Sequence, residues 1–243
     1  MQKMDWFESW FDTIYYHQLY QHRNEEEAKS FISNLLTLLN LEPNSKILDL
    51  ACGKGRHAKI LNEFGYDVMG VDLSQNSISI ASKMKNEHLN FRVHDMREPI
   101  QGKKFDAVLN LFTSFGYFDK SNDNVRVCNA IAEMLNPNGI LVIDFMNAEK
   151  VISNLVDSEE KKIENLSFQI NRHCDGKHIF KRIRFEDKGK KFDYTERVQV
   201  LKLDDFENLL ANNFRILHTF GSFDLKPFDA FDSDRLIIVA QRK

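Results

Sequence analysis

From residue 46 to residue 145, short apolar runs alternate with amphipathic stretches. The runs at 46–50, 67–72, 90–94, 105–111 and 140–145 have the length and residue types of strands. Helical periodicity fits 55–64, 74–86 and 122–135 between them, with Gly65 as a C-cap, Ser74 as an N-cap, and Pro137 and Gly139 behind the third. Apolar strands alternating with amphipathic helices predict a parallel sheet covered on both faces. Upstream, Asn24 caps a predicted helix with Glu25, Glu26 and Glu27 in its first turn and Ala28, Phe31, Ile32, Leu35, Leu36 and Leu39 as its buried stripe; Pro43 and Asn44 end it. After residue 147 the pattern changes. A helix near 148–156 precedes three antiparallel strands near 166–173, 177–186 and 191–201, with turns at Asp175-Gly176 and Lys188-Gly189-Lys190. A helix at 203–211 and strands at 214–220 and 236–240 close the chain. The three-strand piece has a marginal core of its own and reads as an insertion. Residues 1–23 are too aromatic for a disordered tail and are expected to form one or two short helices packed on the domain.

Composition narrows the classes. With 243 residues, 42% hydrophobic and 28% charged, the chain has the make-up of an ordinary globular domain. A net charge of −3 gives no general attraction for polyanions. The three cysteines, Cys52, Cys128 and Cys174, lack CxxC spacing, which argues against a disulfide frame or a zinc site. The N-terminus has no apolar signal region and no run approaches a membrane span, so a soluble, cytoplasmic protein is expected, with no metal and no membrane partner.

The chemistry concentrates in Ile47-Leu48-Asp49-Leu50-Ala51-Cys52-Gly53-Lys54-Gly55-Arg56-His57, a buried strand running into a glycine turn and a helix. This arrangement places a nucleotide-type pocket at the carboxyl end of a parallel strand. Gly53 and Gly55 permit close backbone approach, and the first helical turn offers free N–H groups. Asp72 ends the next strand, 23 residues after Asp49, where a carboxylate can accept both hydroxyls of a ribose. A bland alternative makes Asp72 a helix cap. The glycine order, D-x-A-x-G-x-G, differs from the G-x-G-x-x-G of dinucleotide-binding loops, which disfavours a nicotinamide enzyme. Ala51 stands where a first glycine is usual; a small residue permits a tight turn, but not one that needs positive φ.

The line resembles motif I of the class I S-adenosylmethionine-dependent methyltransferases, (D/E)-x-G-x-G-x-G. The resemblance covers nearly the whole chain. It implies a doubly wound, seven-stranded, mostly parallel Rossmann-like α/β sheet with its last strand antiparallel and an antiparallel β insertion between strands five and six. In those terms residues 1–243 form one methyltransferase domain, 1–40 a helical cover and 157–202 a β lid of the kind found in small-molecule methyltransferases. It also implies roles. Asp49 serves the methionine ammonium of the cofactor, directly or through water. Ala51, Cys52, Gly53 and Gly55 form the turn around it, and Asp72 with Leu73 holds the ribose. Asp95 accepts from the adenine amino group, Met96 lies on the adenine, and Asn110 with Leu111 meets the methionine part or the acceptor. Arg23 takes the cofactor carboxylate.

Tyr16, Tyr20, Phe112, Phe115 and Tyr117 are expected to shape the acceptor pocket, with plain core as the alternative for Phe115. Methyl transfer needs a lone pair in line and water kept out, so a base is optional. His17, Tyr117 and His218 are the candidates if one is used. Residues 159–197 hold eleven Lys/Arg against eight Asp/Glu, a modest excess. Methyl transfer to a nitrogen or oxygen of a small molecule is the leading reading, for a monomer or homodimer. An RNA or protein methyltransferase, and a non-catalytic S-adenosylmethionine-binding protein, stand as alternatives.

Overall fold

The structure is a computed structural model that describes residues 10–20, 25–118 and 120–243. Its elements run α1 (Ile14–Leu19), α2 (Glu25–Leu39), β1 (Lys46–Leu50), α3 (Arg56–Glu63), β2 (Asp67–Asp72), α4 (Gln75–Ala81), β3 (Leu89–Val93), β4 (Phe105–Asn110), α5 (Ser121–Met134), β5 (Leu135–Met146), α6 (Ala148–Ser153), β6 (Ser158–Ile163), β7 (Leu166–Cys174), β8 (His178–Asp187), β9 (Lys190–Gln199), α7 (Leu203–Leu210), β10 (Phe214–Phe220) and β11 (Arg235–Arg242). The main sheet has the order β10-β11-β5-β4-β1-β2-β3. β1 to β5 are mutually parallel, and β11 is antiparallel to both β5 and β10. This is the parallel sheet that the alternating pattern predicts, with the seven strands and the antiparallel last strand that the family resemblance implies.

Side chains alternate across it, as a strand's period of two requires. Leu48, Leu50, Val108, Leu141, Ile143 and Ile238 pack with α5 and α7 on one face. Ile47, Ala107, Leu109, Val142, Ile237 and Val239 pack with α2 and α3 on the other. The helix limits follow local chemistry. Ser74 caps α4 by accepting the Ser77 N–H at 3.0 Å, and Gly65 leaves α3 at φ 92°. α4 is shorter than 74–86, because Ser82–Met84 tightens into a 3₁₀ turn.

The insertion carries four strands, in the order β6-β7-β8-β9, where the sequence predicts three. The additional strand, Ser-Glu-Glu-Lys-Lys-Ile, lies at the edge and buries Ile163 alone, so it shows no apolar alternation. A third apolar cluster joins this sheet (Phe168, Ile170, Ile183, Phe185) to Trp10 and Leu19 of the N-terminal segment. The aromatic start of the chain is therefore bound to the insertion; Trp6 and Phe7 lie outside the described residues.

The backbone after β1 departs from expectation at Ala51, whose φ is +61°. The turn does need a left-handed residue, at a cost of roughly 1–2 kcal/mol for alanine. It is held there by the Cys52 N–H on the Val71 carbonyl (2.9 Å) and the Gly55 N–H on the Cys52 carbonyl (3.0 Å). Behind the turn, Phe91 of β3 fills the space left by two glycines. A Cβ at Gly55 would stand 2.6 Å from the Phe91 ring. One at Gly70 would stand 2.6 Å from that ring and 2.9 Å from Cys52 Sγ. Gly70→Ala is therefore expected to lower stability by about 1–3 kcal/mol through overpacking. Urea unfolding measures it, and an unchanged midpoint would show that Phe91 can move aside at no cost.

Candidate active site

The carboxyl ends of the parallel strands open into a cavity of about 780 Å³, roofed by residues 10–20 and β9. The glycine turn forms its floor. The Gly53 N–H donates to Asp72 Oδ2 at 2.8 Å, so the last residue of β2 clamps the turn that follows β1. Asp72 Oδ1 accepts the Ser74 N–H, also at 2.8 Å. Burial pushes the Asp72 carboxyl up, the Ser74 and Gly53 N–H groups oppose that, and the charge of Asp12 adds to it. A side chain at Gly53 would meet nothing within 4 Å, because its α-carbon faces the open cavity.

Ala51, Cys52, Gly53, Asp72, Leu73, Asp95, Met96 and Leu111 all line this space, as do Tyr16, Tyr20, Phe112 and Tyr117. Asp49 stands beneath it. Asp49 is 1% exposed, and desolvation lifts its carboxyl to about 7, against the Ala58 N–H that it accepts and with the Asp72 charge adding. Among the described residues its Oδ2 has no hydrogen-bond partner, and neither has Oδ1 of the buried Asn110, whose amide ties β4 to the Leu50 carbonyl at 2.9 Å. Gly55 is the N-cap of α3, and Phe91 packing together with a φ of +80° accounts for it. Phe115 is core, packed on Phe206 at 5.6 Å, because the Gly116 turn directs it to the α7 face. His218 is exposed on the edge strand β10, stacked on Phe220, away from the cavity. Arg23 and the His17 side chain lie outside the described residues. Cys52 lines the cavity as a thiol, since burial and the charges of Asp49 and Asp72 push it well up.

Residues 41–197, well over half of the chain, match the family described as methyltransferase domain. The chain belongs to the class I S-adenosylmethionine-dependent methyltransferases. A protein of Bacillus subtilis (strain 168), YqeM, is 29% identical over 216 residues, spanning 84% of this chain and 86% of its own. The dTDP-3-amino-3,4,6-trideoxy-alpha-D-glucopyranose N,N-dimethyltransferase of Streptomyces venezuelae is 35% identical over 101 residues, 41% of this chain and 42% of its own. A crystal structure of an S-adenosylmethionine-dependent methyltransferase from Clostridium acetobutylicum ATCC 824 shares the fold with a TM-score of 0.79 at 21% identity, covering 94% of this chain and 96% of that one. The enzyme uses S-adenosylmethionine, and the donor set fits it. The cavity has a glycine α-carbon open to it, a carboxylate at its rim and, below the floor, buried acceptors without a partner among the described residues.

The methyltransferase cavity also holds groups that the sequence reading did not single out. Arg97 occupies the Asp95 carboxylate with Nε at 3.0 Å and NH2 at 2.7 Å, so that Asp95, although burial acts to raise it, sits below the usual carboxylate range. Glu196 accepts from Trp10 Nε1 (2.7 Å) and from the Tyr20 hydroxyl (2.8 Å), with Lys181 Nζ at 3.9 Å. Burial and the Glu196 charge hold the Tyr20 hydroxyl well above its ordinary range, so it remains a donor. Glu196 was visible in principle: Phe192, Tyr194 and Glu196 alternate on one strand face, and a carboxylate continues an apolar stripe. Asp12 anchors the roof by accepting from Ser74 Oγ (2.5 Å) and Asn76 Nδ2 (2.6 Å).

Asp49 has a measurable consequence. Its folded value of about 7 lies above the roughly 3.9 of a free aspartate. Between those values the folded chain keeps a proton that the unfolded chain has released. Its contribution therefore weakens as pH rises through that window and levels off above it. Asp49→Asn is expected to flatten the decline in stability between about pH 4 and pH 7. Urea midpoints across that range test this, and a slope identical to wild type would mean that Asp49 is ionised throughout.

Proposed function

We propose that the enzyme methylates an amine nitrogen of a small-molecule acceptor. The observation that carries this is the aromatic wall along one side of the cavity. The Gly53–Asp72 rim suits the nucleoside end of the cofactor. Across from it stand Tyr20, Tyr16, Phe11 and Tyr117 in an unbroken aromatic wall, with centroid separations of 4.8, 4.9 and 5.3 Å, and Glu196 at one end. Aromatic faces beside a carboxylate receive a cationic amine and its methylated product. The N,N-dimethyltransferase named above supports nitrogen as the acceptor atom.

Bound S-adenosylmethionine supplies a methyl carbon already activated by a sulfonium. The chain's own task is to orient and to exclude water. We assign ribose binding to Asp72 and the support of the turn to Asp49 and Asn110. Asp95, neutralised by Arg97, presents an adenine edge made jointly with Met96. Glu196, held by its Trp10 and Tyr20 donors, closes one end of the wall that faces the acceptor amine, and Tyr117 is the remaining described base candidate on the cavity wall. Residues 1–40 serve as the cover and 157–202 as the lid; their shared apolar cluster supports this, because it makes them one roof.

The basic excess of the insertion gives little support to an RNA substrate. Arg182 is paired with Asp193, Arg172 with Glu159, and Lys181 is turned inward to Tyr20 and Glu196. Phosphate neutralisation needs cations that face outward. The unpaired state of all three cysteines supports a reducing, cytoplasmic setting.

Asp72→Ala is expected to weaken S-adenosylhomocysteine binding at least about tenfold, the loss of a charge-assisted hydrogen bond. Calorimetry reads this directly, and an unchanged dissociation constant removes Asp72 from the ribose. Transfer of labelled methyl to an amine fraction of a metabolite pool, with none to RNA, is the expected companion result. Label confined to RNA would reverse the assignment.

A further inference from the structure

Resting on that reading, we infer that Arg235 and Thr113 form an anion-binding subsite for the acceptor, so that the acceptor amine also carries a carboxylate or phosphate. β11 runs against its neighbours, and its first residue therefore arrives at the rim where the parallel strands end; Arg235 pairs in register with Met146 at the end of β5. Its guanidinium is fixed on three sides. Nε donates to Asp144 Oδ1 at 2.7 Å, one terminal N–H donates to Thr113 Oγ1 at 3.0 Å, and the carbon lies 5.8 Å and 5.6 Å from the Phe112 and Phe223 ring centroids.

An arginine has five N–H donors, and these bonds use two. Arg235 and Thr113 both line the cavity, and the rest of the fork has no protein acceptor among the described residues. The support is rigid and strained. Phe112 and Thr113 are consecutive non-glycine residues at φ +65° and +57°. The buried Asp144 holds them by accepting the Phe112 N–H on Oδ2 (2.9 Å) and the Thr113 N–H on its carbonyl (2.8 Å). A planar fork locked in place with donors left over suits a carboxylate or phosphate oxygen pair. The cofactor's own carboxylate offers the same chemistry. The acceptor is favoured because β11 lies three strand spacings, about 14 Å, from β1, on the side of the sheet away from Asp72.

The test uses Arg235→Lys, which keeps the charge beside Asp144 but loses the fork, and Arg235→Gln. Calorimetry with S-adenosylhomocysteine and with 5′-methylthioadenosine, which lacks the amino acid part, comes first. Both should bind the variants within about twofold of wild type. Loss of S-adenosylhomocysteine alone would give the subsite to the cofactor and overturn the proposal. Labelled methyl is then transferred to a metabolite pool, and the product is run on an anion exchanger at about pH 11, where amines are largely uncharged. The product should be retained, and phosphatase treatment separates a phosphate from a carboxylate. Arg235→Lys should raise the acceptor KM about tenfold with kcat little changed. A product that is not retained, or a KM that does not move, overturns the subsite and leaves the methyltransferase reading standing. Absence of any labelled product strikes the transfer reading itself, and this one with it.

Discussion

Two carboxylates hold the rim of the sheet in a shape that its backbone would not choose. After β1 the chain passes through left-handed geometry at Ala51, Gly53 and Gly55; after β4 it does so at Phe112 and Thr113. Each excursion is clamped from the neighbouring strand. Asp72, ending β2, accepts the Gly53 N–H, and Asp144, near the end of β5, accepts the Phe112 N–H. Strained conformations persist where the surroundings over-determine them, and they gather where a site must be pre-organised. The cavity exists because these two loops peel away from the sheet rather than continuing it.

The clamps differ in their electrostatics. Asp144 is wholly buried, but Arg235 compensates its charge at 2.7 Å. That pair is tied into packing through Phe112 and Phe223, so removing one partner would leave an uncompensated buried charge. Among the described residues Asp72 has no cation of that kind. It relies on backbone N–H groups, and its carboxyl is raised. Asp49, a strand-width away beneath the turn, is raised further. Burial therefore acts against charge on both carboxyls, and only N–H groups and, at Asp49, the Arg56 charge act to keep them ionised.

The parts of the molecule that were legible in the sequence are those governed by local pattern. The parallel strands announced themselves by continuous apolar runs, α2 by its stripe, and the glycine turn by spacing alone. What stayed hidden depends on long-range placement. Arg235 becomes a rim residue only because its strand is antiparallel, and nothing within 235–242 states that direction. β6 is an edge strand of charged residues that satisfies its partner's backbone rather than a core. Ala51 was expected to avoid positive φ, and two backbone hydrogen bonds around it overrule the side-chain preference. Phe115 and Tyr117 are two residues apart in one aromatic loop, yet Gly116 sends one into the core and leaves the other in the cavity.

The roof follows from a further constraint, the burial of polar groups on the insertion. Lys181, Glu196, Tyr20 and Trp10 form a closed set in which each polar group answers another, with Lys181 Nζ donating to the Tyr20 hydroxyl at 2.6 Å. Removing the N-terminal segment from the insertion would leave Glu196 and Lys181 facing each other at 3.9 Å without the Trp10 and Tyr20 donors, and would expose the apolar cluster around Phe168. Burial of a charge is tolerable only while its partners are present. Residues 10–20 and β6–β9 thus share one polar set and one apolar cluster, and both are tied to the main domain: Asp12 accepts from the Ser74 and Asn76 side chains at the mouth of α4, and Gln199 at the end of β9 bonds to the Gly116 and Phe118 carbonyls.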